Sequence, residues 1–361
     1  MILRRLYAAM VIAASLAASG CSTIAYYSQA INGQYQLLER QRPISALVKD
    51  PATSAQLKAR LEETMRIRDF AVHELDLPDN GSYLDYVDLK RPYVVWNVYA
   101  APQLSLRPRK WCFPIAGCVA YRGYFALSAA QNYARHLRRR GYDVYVAGVT
   151  AYSTLGWFRD PVLSTILRHP ETDIAELMFH ELAHQKLYIP GDTAFDESFA
   201  VAVSRAGMRR WLLANGSGGQ LHRYLELRHR RAQVSALLLH YRARLEALYS
   251  SAEPRARKLQ DKRRILSGLR AAYVGLEEKW GEKSGNGLRY FRNINNAYFV
   301  PIGLYDCYVG AFNALLASVG GKLPAFYAKA RQIGRLPARE RRLALEALTP
   351  NDRPHCTGNP D

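Results

Sequence analysis

The segment Phe179-His180-Glu181-Leu182-Ala183-His184-Gln185 carries two imidazoles four residues apart, with a carboxylate directly after the first. On a helix this spacing projects both rings from one face, where they can share a single divalent cation. Glu181 lies one step round the helix, beside the coordination position that two histidines leave open. A carboxylate there can take the proton of a zinc-bound water as it attacks, so the pattern predicts hydrolysis of a carbonyl substrate. A metal that only stiffens a fold has no use for an uncoordinated glutamate at that position. This separates the hydrolase reading from its alternative, a membrane-anchored, non-enzymatic envelope scaffold or assembly factor with a structural metal site.

A catalytic zinc site takes three protein ligands and keeps its fourth position open. Glu197, separated from His184 by twelve residues, is the candidate third ligand, with Asp192 and Asp196 as near rivals. The elements that must position these side chains are two helices. Asp173 and Glu176 have the spacing of a capping box and open a helix that runs through His184 to Pro190-Gly191. Asp192 or Thr193 then caps a second helix, whose first turns can face Glu197 back toward the first. The expectation is one zinc ion per chain, bound by His180, His184 and Glu197, with Glu181 as general base.

These residues, with Asp192-Thr193-Ala194-Phe195-Asp196-Glu197-Ser198-Phe199-Ala200, resemble a family of bacterial predicted aminopeptidases regarded as zinc-dependent lipoproteins, which carry closely similar HELAHQ and DTAFNESFA stretches. Asp196 stands where that family has Asn. Also similar are Ala151 to Phe158 with Asp160-Pro161, the block Tyr121 to Phe125, and Asn295-Asn296-Ala297 ahead of Tyr305. The resemblance covers nearly all of the chain beyond its leader and implies a zincin-like, gluzincin-like peptidase acting on peptides, named as an aminopeptidase. An endopeptidase fits the chemistry equally, because no acidic anchor for a substrate ammonium is identifiable. Within the similar blocks, Val144 to Tyr152 reads as a strand offering its edge to an extended substrate. Tyr152, Ser153, Thr154 and Arg122 are expected in the cleft. Tyr305 is the expected oxyanion-stabilising residue, with Tyr298 and Arg122 as rivals. His169, before Pro170, reads as a loop residue.

Along the whole chain, helical periodicity covers Tyr26 to Leu75, broken near Pro43 and Pro51. Two strands follow, Tyr93 to Ala100 and Asp143 to Val149, with a helix from Gly123 to Gly141 between them. Stripes at alternating four and three spacing run from Val234 to Leu248 and from Leu259 to Trp280, predicting an antiparallel hairpin. A loop begins at Gly281, and helices resume over Tyr305 to Ser318 and Ala325 to Leu348. The fold class is α+β and mostly helical: a zincin-like core with a small β-sheet, an active-site helix and a long helical hairpin. Residues 1–21 form the leader, 22–220 the sheet and zinc-site helices, 221–285 the hairpin, and 286–361 the helical part that completes the catalytic domain.

The chain has 361 residues, 49% of them hydrophobic, which is ample for a large core. Its net charge of +19 invites a nucleic-acid partner, but no nucleic-acid module accompanies the basic residues and the leader points elsewhere. Arg4 and Arg5, the apolar run Leu6 to Ala18 and then Ser19-Gly20-Cys21 form an export signal with a lipobox-like end. Cys21 is therefore the expected lipidation site, anchoring the chain on the periplasmic side of the bacterial envelope. Ser22 follows it, and by resemblance to lipoprotein sorting the absence of Asp there favours the outer membrane over the inner, while the basic surface is matched to anionic headgroups. In that oxidising compartment Cys112 with Cys118, and Cys307 with Cys356, are the expected disulfides.

Overall fold

The computed structural model describes residues 26–113, 117–151, 154, 158–282, 291–302 and 307–349. Most of them are helical, with small sheets. The elements run in the order α1 (26–39), β1 (Arg42–Pro43), α2 (Ile44–Lys49), α3 (Ala55–His73), β2 (Asp85–Val87), β3 (Val95–Pro102), β4 (Trp111–Phe113), β5 (Gly117–Val119) and β6 (Tyr121–Tyr124). Next come α4 (Leu127–Arg139), β7 (Tyr142–Val149), β8 (Val162–Leu163), α5 (Glu171–Lys186), α6 (Thr193–Asn215), α7 (Gly218–Ser250) and α8 (Arg255–Lys279). A 3-10 turn (Asn296–Phe299) precedes α9 (Val309–Ser318), α10 (Leu323–Gly334) and α11 (Ala338–Glu346). Among the described residues no helix is long and apolar enough to cross a membrane.

The sheet that matters for the site has the order β6-β3-β7, with both pairings antiparallel and β7 at an edge. Its β-branched and aromatic residues favour extended backbone. One face buries Trp96, Val98, Ala100 and Val144 against Ala130, Ala134 and Leu137 of α4. That helix stops at Gly141, whose φ of +80° is the left-handed geometry glycine adopts without strain. A second small sheet joins β1, β2 and β8, and β4 pairs with β5 in register Cys112 to Cys118, where a disulfide links them.

The main core lies under α5 and α6. On α5 the residues Ile174, Met178, Leu182 and Ala175, Phe179, Ala183 recur every fourth position, so one face is apolar and buried. Gly207 of α6 permits the close approach: a Cβ there would meet Leu75 Cδ1 at 2.7 Å and Phe179 Cδ2 at 2.8 Å. Phe195 and Phe199 of α6 meet Phe312 of α9 edge to face, and Phe199 stacks on Phe326 of α10, which draws the C-terminal helices into the same core.

Several boundaries differ from those the sequence suggests. Residues Gly123 and Tyr124 belong to β6, so α4 begins only at Leu127. The capping pattern of Asp173 and Glu176 is not used, because α5 already starts at Glu171 after Pro170, without a side-chain cap. Helix α7 starts at Gly218, well before the first clear stripe residue Val234, and it has its own capping box from Ser217 and Gln220.

Candidate metal centre

Helices α5 and α6 run past each other so that three side chains meet. Pro190-Gly191 turns the chain, with Gly191 at φ +87°, and Asp192 caps α6 by accepting from the Phe195 N–H at 3.1 Å. The guanidinium of Arg341 holds the other Asp192 oxygen at 2.7 Å, which fixes the first turn of α6 to α11. Glu197 follows in the next turn and points back at α5.

The His180 and His184 Nε2 atoms lie 3.1 Å apart. Glu197 Oε2 is 3.2 Å from the first and 3.7 Å from the second. The two rings are nearly perpendicular, at 87°. Ligand atoms bonded at about 2.0–2.1 Å to a tetrahedral zinc lie roughly 3.4 Å apart, which is the scale of all three separations. Glu197 Oε2 is also buried and, among the described residues, has no polar partner in range other than these two imidazole nitrogens, a setting in which a cation would be well placed to take its lone pairs. A two-histidine, one-glutamate donor set converging in this way fits a divalent ion, and among the described residues His180, His184 and Glu197 form the one group of this kind.

Without an ion the three groups polarise one another. Burial works to raise the Glu197 carboxyl and is overcome by hydrogen bonding and charge from His180 and His184, which pull it down to about 2. Burial would lower His184, but the Glu197 carboxylate outweighs it and lifts the imidazole to about 9. Burial also raises Glu181, against the partial relief given by the two imidazoles. Behind His184 sits Asp196, 2% exposed, whose Oδ1 accepts from the Ile189 N–H at 2.7 Å. Burial lifts its carboxyl to about 8, and both its Oδ2 and His184 Nδ1 are buried without a hydrogen bond.

A cleft of about 920 Å³ opens over His180 and Glu181. Tyr99 of β3 and residues Tyr145 and Ala147–Val149 of β7 form one side, and Ser235, Ala236 and Leu239 of α7 form the other. The hairpin is thus a wall of the cleft, through residues whose three- and four-residue spacing puts them on one helical face.

The remaining residues singled out from sequence are distributed differently. Thr154 is bound to Asp160, donating its N–H and its hydroxyl to that carboxylate, and does not line the cleft. Asp160 also accepts from Gln185 Nε2 at 2.9 Å, which clamps the loop to the end of α5. Arg122 does not join the site: its guanidinium lies 4.0 Å from the Tyr26 ring and 4.8 Å from that of Tyr133, an aromatic cage that takes the charge by cation–π attraction. Tyr298 packs on Tyr145 at 4.9 Å, and His169 reaches the cleft rim without entering the metal group. Cys307 is disulfide-bonded. Tyr152, Ser153, Tyr305, Cys21 and Cys356 lie outside the described residues.

Some participants were not singled out from sequence. Tyr99 and Tyr145 are two of 24 tyrosines, and nothing local distinguishes a cleft tyrosine from a packed one. Tyr83, 3% exposed and at φ +64°, is buried close enough to feel the Glu181 and Asp160 charges, a backbone state rare for an aromatic residue. The cleft face of α7 was readable in principle from the spacing of Ala232, Ser235, Ala236 and Leu239, but small residues make a faint stripe.

A family described as "Putative aminopeptidase" matches residues 25–345. No curated protein and no solved structure matches the chain. The matched span takes in the sheet, helices α5 and α6 and the hairpin wall, so the chain belongs to this aminopeptidase family, with the peptidase-like function its description names.

Proposed function

We propose that this chain is a zinc-dependent peptidase of the bacterial cell envelope, with His180, His184 and Glu197 as metal ligands and Glu181 as general base. The observation that carries the reading is Glu197 Oε2, a buried carboxylate oxygen held 3.2 and 3.7 Å from two imidazole nitrogens that are themselves 3.1 Å apart. When bound there, zinc supplies Lewis-acid polarisation of a carbonyl and lowers the pKa of a water toward neutrality. Glu181 moves the protons. It accepts one from the water whose oxygen bonds to the peptide carbonyl carbon, and gives it to the nitrogen as the C–N bond breaks. Acid and amine leave, and Glu181 returns to its carboxylate form. Burial raises its pKa, which suits a group that must both take and release a proton near neutral pH.

The chain's other elements serve this step. β7 is an edge strand whose residues Ala147–Val149 line the cleft, and an extended peptide pairs along such an edge. Tyr305 remains the oxyanion-stabilising residue of this reading, with Tyr99 and Tyr145 as the cleft tyrosines that could replace it. Metal analysis of the purified protein beside a Glu181→Gln variant, each assayed on a mixed peptide library, tests the proposal. The expected result is about one zinc per chain in both, with cleavage reduced by about 10²–10⁴-fold in the variant. Zinc in both proteins with cleavage by neither would favour the scaffold alternative.

The same reading places the protein on the periplasmic face of the outer membrane, attached through acylated Cys21 with its basic surface toward anionic headgroups. Radiolabelled fatty acid is expected in the wild type and absent from Cys21→Ser. Equal labelling of the two would remove the anchor from the proposal.

A further inference from the structure

The cleft continues from the metal group toward the N-terminal end of α5, where a second polar cluster lines it. Glu176 and Asp173 stand four and seven residues before His180, about 6 and 10 Å along the helix, and both face the cleft. An extended peptide advances about 3.3–3.6 Å per residue. The cluster therefore lies two or three substrate residues from the bond being cut.

Both carboxylates already have partners. Glu176 accepts from the Tyr224 hydroxyl at 2.9 Å and pairs with Arg231 at 3.2 Å. Arg231 also reaches Asp173 at 3.5 Å. Arg228, on the same wall of α7, is different. It is half-buried and lines the cleft, with its guanidinium 5.9 Å from the Tyr224 ring. Among the described residues no carboxylate lies within ion-pair distance of it, whereas the adjacent Arg230 has both Glu226 and Glu282. A substrate ammonium at this end would meet two occupied acids and an unmatched cation. A carboxylate would meet a planar fork of donors suited to it.

We propose that this end of the cleft anchors a carboxylate of the peptide substrate, with Arg228 as its seat and Arg231 beside it. The carboxylate is either the peptide's C-terminus or an acidic side chain two or three residues from the scissile bond. The inference rests on the peptidase reading above and adds a substrate class to it: peptides carrying a negative charge at that distance.

The test uses zinc-loaded protein and matched peptides with a free or amidated C-terminus, and with Asp or Asn at each position two or three residues from the cleaved bond. The wild type is expected to prefer one carboxylate form by about tenfold in kcat/KM, and the arm that shows the preference identifies its source. Arg228→Gln brings that ratio to about one, and Arg228→Glu inverts it. The same peptides titrated into zinc-loaded Glu181→Gln protein, followed by fluorescence anisotropy, read the anchor apart from hydrolysis. Tighter binding of the carboxylate form that Arg228→Gln abolishes supports the anchor whether or not any peptide is cut. Cleavage with equal rates on all forms overturns the anchor and leaves the peptidase reading standing. Equal binding of all forms overturns it as well.

Discussion

In the metal-free protein Glu197 and His184 hold each other's charge, and this ties metal loading to protons. His184, raised from 6.5 to about 9, contributes stability that is complete below about pH 6.5 and is lost as the pH climbs toward 9. Glu197, lowered from 4.5 to about 2, contributes stability that is complete above about pH 4.5 and is lost as the pH falls toward 2. Zinc takes only the neutral imidazole. Loading at about pH 7.5 must therefore expel the His184 proton, and calorimetry in buffers of different ionisation heat should find about one proton released per ion. No release would mean that the imidazole is already neutral and that Glu197 does not engage it. Substitution separates the true ligand from its neighbours. Glu197→Gln is expected to weaken zinc binding by more than about 100-fold. Asp192→Asn, whose native carboxylate is occupied by the Phe195 N–H and Arg341 and whose amide still caps the helix, should change it by less than about threefold. Competition with a chromogenic chelator measures both.

At the scale of elements, the cleft depends on how firmly the hairpin is fastened to the sheet, and one buried side chain gathers several of the bonds that fasten it. Asn296, fully buried, donates its amide to the carbonyls of Pro102, Gln103 and Ser105 at 2.8–3.0 Å and accepts from the Tyr249 hydroxyl of α7 at 2.7 Å. Its own N–H goes to Asp143 of β7, and Lys262 of α8 pairs with that same carboxylate. Asn296→Ala leaves several buried polar groups unmatched and should cost about 3 kcal/mol or more. Asn296→Asp should not rescue it, because the donors are still missing, whereas Tyr249→Phe should cost about 1 kcal/mol. Thermal unfolding of the three variants checks the order, and an Asn296→Ala protein that melts like the wild type would remove the knot from this account. None of this was legible in the sequence, where Asn295-Asn296 stands out only by resemblance. The long elements were legible because their signals are local and repeated: α5 with its apolar fourth positions, the β-branched runs of β3 and β7, and the heptad-like stripes of α7 and α8. Strands of two to four residues such as β1, β2 and β8 offer too few positions for a period to emerge. The first half of α7 was hidden for a different reason. It exposes Leu225 and Leu227 and fills its cleft face with Arg and Ala, so its stripe is not an apolar one.

For the molecule as a whole, the cleft lies where separate apolar clusters meet. One cluster joins α3, α5, α6 and the C-terminal helices, a second lies between the sheet and α4, and a third holds the hairpin against residues 291–302. Helix α7 belongs to two of them, contributing Tyr224 to the first and Leu238, Tyr241 and Leu245 to the third. Clusters with few shared side chains open as partly independent units. A ligand stabilises only the opening reactions that break its site, by about 2.7 kcal/mol at a hundredfold excess over Kd. Since the three proposed zinc ligands all stand on α5 and α6, zinc should slow amide exchange through those helices by about 100-fold. The protection should carry into the first turns of α7 through the Tyr224 to Glu176 hydrogen bond. From Leu238 through α8 to Leu269 exchange should change little, because those amides are held by the third cluster. Exchange measured by mass spectrometry with and without zinc distinguishes the cases. Equal protection across the distal hairpin would mean that the wall of the cleft unfolds only together with the metal helices, as one cooperative body.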